Sequence, residues 1–424
     1  MTVLRYHDVF VPGGFPRHTY NPRIELQLEE RLTESRRNLC KLVTVTGQTK
    51  SGKTVLARKV LPRDECVWVD GGTVAAEDDF WEVVLEQLDL FQGTQEKTSD
   101  ETASTITGKG TAGADFLIAK GSGEVGGQLS KKRASTKTKT RSVSPRVAAL
   151  HGLAREQVPL VIDDFHYLSR DLQSSLVRAL KQPIFDGLPV AIIAIPHRRY
   201  DALKVEKEMT GRIAPIEIPA WSERELRFIP EVGFKLLGTA LPDSASERLA
   251  EEAIGSPHLM QDFCRTICGR AETGDRIDAD RLHHLLENLP DVFREVAETI
   301  GRPIFERLAR GPRQRTDRIQ RELRDGRSVD IYELVLHALA HLRPGLVSLE
   351  YEDLRAAVRD VSASQIPQLH EVARVLKHMA SIAASDQSST PVIDFEEVDK
   401  KLHITDPFFA FYLRWGDLEQ TASA

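Results

Sequence analysis

Gly47 and Gly52 bracket four residues, and Lys53 and Thr54 follow at once, so Gly47, Gln48, Thr49, Lys50, Ser51, Gly52, Lys53 and Thr54 read Gly-x-x-x-x-Gly-Lys-Thr. An anion-binding loop requires this kind of spacing, because backbone N–H groups and a helix N-terminus must converge on one phosphate. The two glycines permit the tight turn. The Lys53 ammonium is expected to reach the β- and γ-phosphates of a nucleoside triphosphate, and the Thr54 hydroxyl to take a place on Mg²⁺. A second chemical feature, the pair Asp163-Asp164, closes the apolar run Leu160-Val161-Ile162. Hydrolysis needs one carboxylate to hold Mg²⁺ through water and another to orient the attacking water, roles expected of Asp163 and Asp164 in that order. ATP and Mg²⁺ are the expected cofactors.

These side chains need strands and helices to aim them. The run Leu42–Thr46 before the loop and Val55–Leu61 after it read as strand and helix. Further strands are expected at Cys66–Asp70, Pro159–Asp163, Val190–Ile195 and Ile216–Ile218, with helices at about 77–90 and 172–181. Uninterrupted apolar strands alternating with helices predict a doubly wound α/β domain with a parallel sheet covered on both faces. That domain is expected over residues 1–220, its first 23 residues rich in Pro and Gly and followed by an amphipathic helix from Ile24 to Leu39. Residues 93–146 change to Thr, Ser, Gly and Lys and read as an insertion, either a solvated loop or a projecting basic arm carrying Lys131, Lys132, Arg133, Lys137, Lys139, Arg141 and Arg146.

From Trp221 the strand signals stop. Helices at 223–237, 244–254, 257–270 and 279–286 predict a small helical lid over 221–290. Residues 291–330 are expected to continue as a helical, basic linker in which most of Arg310, Arg313, Arg315, Arg318, Arg321, Arg324 and Arg327 fall on one drifting face, either solvated among Asp317, Glu322 and Asp325 or contacting phosphates. Residues 331–424 read as a separate module of three helices (331–341, 351–361, 367–382), two strands (392–395, 402–405) and an aromatic helix (407–415). Three helices followed by a β-ribbon is the order of a winged helix-turn-helix. Its third helix would present His370, Arg374, Lys377 and His378 to duplex DNA while Leu369, Val372, Val375, Leu376 and Met379 face the core.

Composition bounds the rest. The chain has 424 residues, 41% of them apolar and 28% charged, with a formal net charge of −6. That length predicts more than one domain, and that charge excludes a wholly basic nucleic-acid binder, so any DNA contact is a local patch. Cys40, Cys66, Cys264 and Cys268 form no framework or metal-ligand spacing, which predicts a reducing, cytoplasmic setting. No run is long and apolar enough for a bilayer, so no membrane partner is expected.

On these motifs the chain resembles AAA+ ATPases of the origin-recognition-complex and archaeal-initiator type, a group that grades into the STAND signalling ATPases. The resemblance implies an N-terminal segment packed on adenine, matched by Tyr20-Asn21-Pro22-Arg23, with Tyr20 and Arg23 as contacts. It identifies Gly47–Thr54 and Leu160–Asp164 as the Walker motifs. It places a γ-phosphate sensor at Pro196-His197-Arg198-Arg199, with His197 or Arg198 as the candidate, and a trans-acting arginine finger at Arg212. Gly255-Ser256-Pro257-His258 resembles both the G-x-P motif of STAND proteins and the second sensor of initiators, with His258 where initiators carry arginine. It implies an ATP-driven homo-oligomeric switch that engages DNA; the alternative is a STAND-like signalling or antiviral ATPase that engages an effector protein.

Overall fold

The computed structural model describes residues 4–37, 40–89, 98–99, 134–135, 144–195, 211–312, 319–346, 348–363, 365–384, 391–397 and 399–418. Five parallel strands, β1 (Leu42–Gly47), β2 (Val67–Asp70), β3 (Leu160–Asp163), β4 (Val190–Ala194) and β5 (Ile213–Ile218), lie in the order β2-β3-β4-β1-β5. β1 therefore has β4 on one side and β5 on the other, with Thr46 opposite Ala194 and Gly47 opposite Ile218. Ligands of open α/β sheets gather beyond the carboxyl ends of strands where connections part to opposite faces, and the Gly47–Thr54 loop leaves the sheet at such a place.

The strands are apolar throughout because both faces are covered. Leu42, Val67, Val69, Leu160, Ile162, Val190 and Ile192 pack on one side with helices α2 (Glu77–Gln87), α3 (Pro145–Glu156) and α4 (Arg170–Phe185). Val43, Val45, Trp68, Val161, Ala191, Ile193 and Ile216 pack on the other with α1 (Lys53–Val60) and the segment 28–36. Alternate residues of one strand serve opposite layers, as the two-residue period requires. The helix expected over Ile24–Leu39 is broken: a 3₁₀ turn at Ile24–Leu26, a short helix at Leu28–Thr33 and a second 3₁₀ turn at Glu34–Arg36, separated at Gln27 by a positive φ of 50°. Of the 93–146 insertion, only the antiparallel pairing of Thr98–Ser99 with Ala134–Ser135 and the start of α3 are described; the basic cluster from Lys131 to Arg141 lies outside the described residues.

The second half is helical: α5 (Glu223–Leu236), α6 (Asp243–Glu252), α7 (Pro257–Ala271), α8 (Ala279–Glu287), α9 (Leu289–Ile300) and α10 (Arg302–Arg310). The basic helix expected up to residue 330 is not formed. Gly311, at φ +61°, ends α10, and Arg321–Glu322 instead pairs antiparallel with Ser328–Val329 around Asp325-Gly326. A glycine stop and an Asp-Gly turn outrank a three-residue charge recurrence. The arginines are correspondingly tied down: Arg321 is buried with Glu371 at 3.6 Å, Arg324 donates to the Arg359 carbonyl, and Arg327 binds Asp325. Arg313, Arg315 and Arg318 lie outside the described residues.

The last module holds α11 (Ile331–His341), α12 (Tyr351–Val361), α13 (Leu369–Ala384) and α14 (Pro407–Trp415). Its antiparallel sheet has three strands, β6 (Ser348–Glu350), β7 (Ile393–Glu396) and β8 (Lys401–Ile404), ordered β6-β8-β7. The strand β6, with only three residues, carries no periodic signal and was not expected from the sequence. Expected domain boundaries at 290 and 330 are not breaks in the core. Phe411 of α14 lies 5.1 Å from Phe263 of α7 and 6.0 Å from Phe293 of α9, ring centre to ring centre, within one continuous apolar cluster.

Candidate active site

The phosphate-loop spacing produces its expected backbone. Gly52 caps α1 at φ +90° and offers the first turn no side-chain oxygen, so the N–H groups that open the helix face outward for an acceptor. Gly47 is equally constrained, because a Cβ there would meet the Ile218 carbonyl oxygen at 2.8 Å. The Ser51 hydroxyl is buried without a hydrogen-bond partner. Lys53 folds its ammonium back onto the Gly47 and Gln48 carbonyls, 3.1 and 2.7 Å away, and burial lowers its pKa to about 8. An uncapped helix start, an orphan hydroxyl and a buried ammonium are the complement of a polyphosphate.

The two aspartates meet this loop from β3. Asp163 Oδ1 accepts from the Thr54 hydroxyl at 3.3 Å and from the Asp164 backbone at 3.0 Å. Burial raises the Asp163 pKa, with those bonds opposing it. Asp164, in the left-handed region at φ 50°, is pushed up to about 6 by burial, then by Asp163 and Asp70. A hydroxyl and a carboxylate in contact, both short on positive charge, fit one hard divalent cation whose other ligands are phosphate oxygens and water. When bound, that ion would neutralise phosphate charge; Thr54 and Asp163 are the residues that would hold it.

A cavity of about 320 Å³ opens over this edge, lined by the loop, Asp164, the N-terminal strap (Val11 to Arg23) and, from the lid, Trp221, His258 and Gln261. Long-range bonds fix its walls. Trp221 Nε1 donates to the Ser51 carbonyl at 2.9 Å, and the Gln261 side chain accepts from Val11 N and donates to Thr19 Oγ1. These contacts, like the packing of Phe408 described below, were not legible in the sequence, because no spacing signal joins residues so far apart in the chain.

Tyr20 lines the cavity and lies near-parallel to Phe15, with 6.3 Å between ring centres. Arg23 also lines the cavity, and its guanidinium is held by both Glu225 oxygens, at 2.7 and 3.1 Å, and by the Pro219 and Ala220 carbonyls, with the Trp221 ring 4.9 Å away. It fastens strap to lid. Gln48 and Thr49 face a second cavity shared with the last module, and Thr49 also borders the first. His258 reaches the first cavity as expected but not as a cation, since burial and then Lys50 lower its pKa to about 4. Asp262, 3.6 Å from it, is pushed up to about 7 by burial, so between those values the two are neutral neighbours rather than an ion pair.

His197 lies outside the described residues. Arg212 sits just before β5, its carbonyl bonded to Leu42 N and its guanidinium 5.3 Å from the Phe185 ring centre, at the opposite end of the strand from the loop. The separation is about 20 Å along β5, so Arg212 does not serve its own chain's cavity.

On α13, Val372, Val375, Leu376 and Met379 are buried as expected, and His370 and Arg374 are exposed. Two expected DNA contacts are otherwise engaged. Lys377 pairs with Glu397 at 2.9 Å, and His378 turns toward α11, where its Nδ1 lies 2.7 Å from the Tyr332 hydroxyl.

No family model matches the chain and no curated protein matches it. Among solved structures, it is similar to the ORC2 protein of Aeropyrum pernix in ADPNP–ADP complexes, at 15% identity over 96% of this chain and 95% of that one, TM-score 0.47. These are the kinds of protein that the motifs resemble. The ORC1 protein of the same organism, solved with DNA, matches at 14% identity over 96% of each chain, TM-score 0.42. A STAND protein with a tetratricopeptide-repeat sensor from Pyrococcus horikoshii matches at 13% identity over 97% of this chain and 44% of that one, TM-score 0.37. The sheet is the expected parallel α/β sheet, with the Gly47–Thr54 loop leaving the end of β1, followed by a helical second half. Among the described residues no helix is long and apolar enough to cross a membrane.

Proposed function

We propose that this chain is an ATP-binding, slowly hydrolysing switch that assembles with copies of itself and engages duplex DNA through a C-terminal winged helix. The observation that carries the reading is the composite cavity, in which Lys53, Thr54 and Asp164 converge beneath walls from the strap and the lid, with Asp163 bonded to Thr54 behind them. Thr54 and Asp163 hold Mg²⁺, Lys53 binds phosphate oxygens, and Asp164 orients the attacking water when ionised. The shorter aspartate in that last role, and the neutral His258 on the lid, support slow turnover. The distance of Arg212 from its own cavity supports a role in a neighbour's site, where its charge would offset that on the transferring phosphoryl group.

A second reading, a STAND-like ATPase that engages an effector protein, is favoured by the pairing of Lys377 with Glu397 and of His378 with Tyr332, which leaves only part of the expected basic face on α13. Both readings need the same nucleotide site. Titration with a fluorescent ATP analogue and Mg²⁺ tests it: the wild type should saturate, and Lys53→Ala should weaken binding by roughly tenfold or more, as loss of a buried charge-assisted contact implies. Equal affinities would remove the loop from the site.

A further inference from the structure

The cavity contains a cation that the roles above leave unused. Lys50 is exposed on the phosphate loop, lines the cavity and makes no ion pair among the described residues. Its backbone is left-handed, φ 61°, a conformation disfavoured for any residue with a Cβ and natural to glycine. A strained lysine in a glycine-like position points to use of its side chain. The ammonium stands 5.2 Å from the ring centre of Phe408, which begins α14 in the last module, and Phe408 packs edge-on against His258, with ring centres 4.9 Å apart. The Phe408 ring thus touches the phosphate loop and the lid together.

We propose that Lys50 is the side chain by which this site distinguishes a triphosphate from a diphosphate, and that Phe408 holds its ammonium aside until a triphosphate claims it. The proposal rests on the nucleotide reading above. Lys53 lies buried at the base of the loop, whereas Lys50 is a second, exposed point charge at its rim; an added terminal phosphate brings the charge that a rim cation would meet. Of the described lid residues that line the cavity, His258 is the titratable one, and burial, then Lys50, lowers its pKa to about 4. Lys50 also bears electrostatically on Asp164, Asp262 and Asp406 without pairing with any of them, which leaves it free to change partners. An ammonium drawn to the terminal phosphate leaves the Phe408 ring, so triphosphate binding and docking of α14 on the loop oppose each other.

The test measures affinities of fluorescent ADP and ATP analogues, with Mg²⁺, for the full chain and for Lys50→Gln, Lys50→Arg, Phe408→Leu and the Lys50→Gln/Phe408→Leu double variant. Lys50→Gln should weaken the triphosphate roughly tenfold or more and the diphosphate less than about threefold, with Lys50→Arg restoring most of the difference. Phe408→Leu keeps the apolar bulk but removes the π face; it should tighten the triphosphate by roughly two- to fivefold, and that gain should vanish in the Lys50→Gln background. Circular dichroism establishes folding of each variant, with Phe408→Met in reserve should Phe408→Leu not fold. Equal losses for both nucleotides on Lys50→Gln, or a Phe408→Leu gain that persists without Lys50, overturn the proposal while leaving the nucleotide site standing. A wild type that binds neither nucleotide overturns both.

Discussion

At the scale of single residues, the site is defined by charges that burial holds away from their ordinary values. In the roles proposed, Asp164 orients water only when ionised, and burial pushes its pKa up to about 6; Lys53 holds phosphate only when charged, and burial lowers its pKa to about 8. ATP hydrolysis expressed as kcat/KM should therefore be bell-shaped in pH, rising through about 6 and falling through about 8, because this ratio reports the free protein's groups. A profile flat from pH 5 to 9 would separate these residues from the chemistry. Lys53, Thr54, Asp163 and Asp164 were legible in the sequence because a phosphate loop has few workable spacings and a buried strand ending in carboxylates has few uses. Arg23 shows where such reading stops. Its place in the N-terminal strap suggested a ligand to the base, but what occupies its guanidinium is Glu225 and two carbonyls about two hundred residues away, which no local pattern encodes.

At the scale of elements, apolar periodicity located the helices well: α11, α12 and α14 span the ranges expected of them, and Asp330 and Asp406 cap two of them by accepting from first-turn backbone N–H groups. The pattern failed where glycine punctuation competed with a charge recurrence, at the hairpin Arg321–Val329, and where a strand was too short to show a period, at β6. It was also silent about how α14 meets the lid. Glu252, at the end of α6 and 2% exposed, accepts from Trp415 Nε1 at 2.8 Å and pairs with Arg414 at 3.3 Å and Arg248 at 2.9 Å. Glu252→Gln removes the charge that two guanidinium groups face and should lower unfolding stability by about 2–3 kcal/mol. Chemical denaturation read by tryptophan fluorescence checks this; an unchanged midpoint would mean that α14 is held by its aromatic packing alone.

At the scale of the whole molecule, the parallel sheet carries an apolar cluster on each face and the helical half a third, and the cavity over the phosphate loop takes walls from both halves. The strap, the lid and α14 all approach the phosphate loop, through Arg23 and Trp221 on one side and Phe408 on the other. A ligand that alters the loop is thereby placed to alter the stance of the last module, and in the proposed assembly Arg212, remote from its own cavity, would serve a neighbour's. The central claim is that ATP bound at Lys53 drives assembly. Its most direct test is light scattering coupled to size separation, on the wild type and Lys53→Ala, with and without a non-hydrolysable ATP analogue and duplex DNA. The account predicts a wild-type mass that rises with nucleotide, with DNA travelling in the assembled fraction, and a Lys53→Ala mass that does not change. A wild-type mass indifferent to nucleotide, or a rise that Lys53→Ala shares, would contradict it.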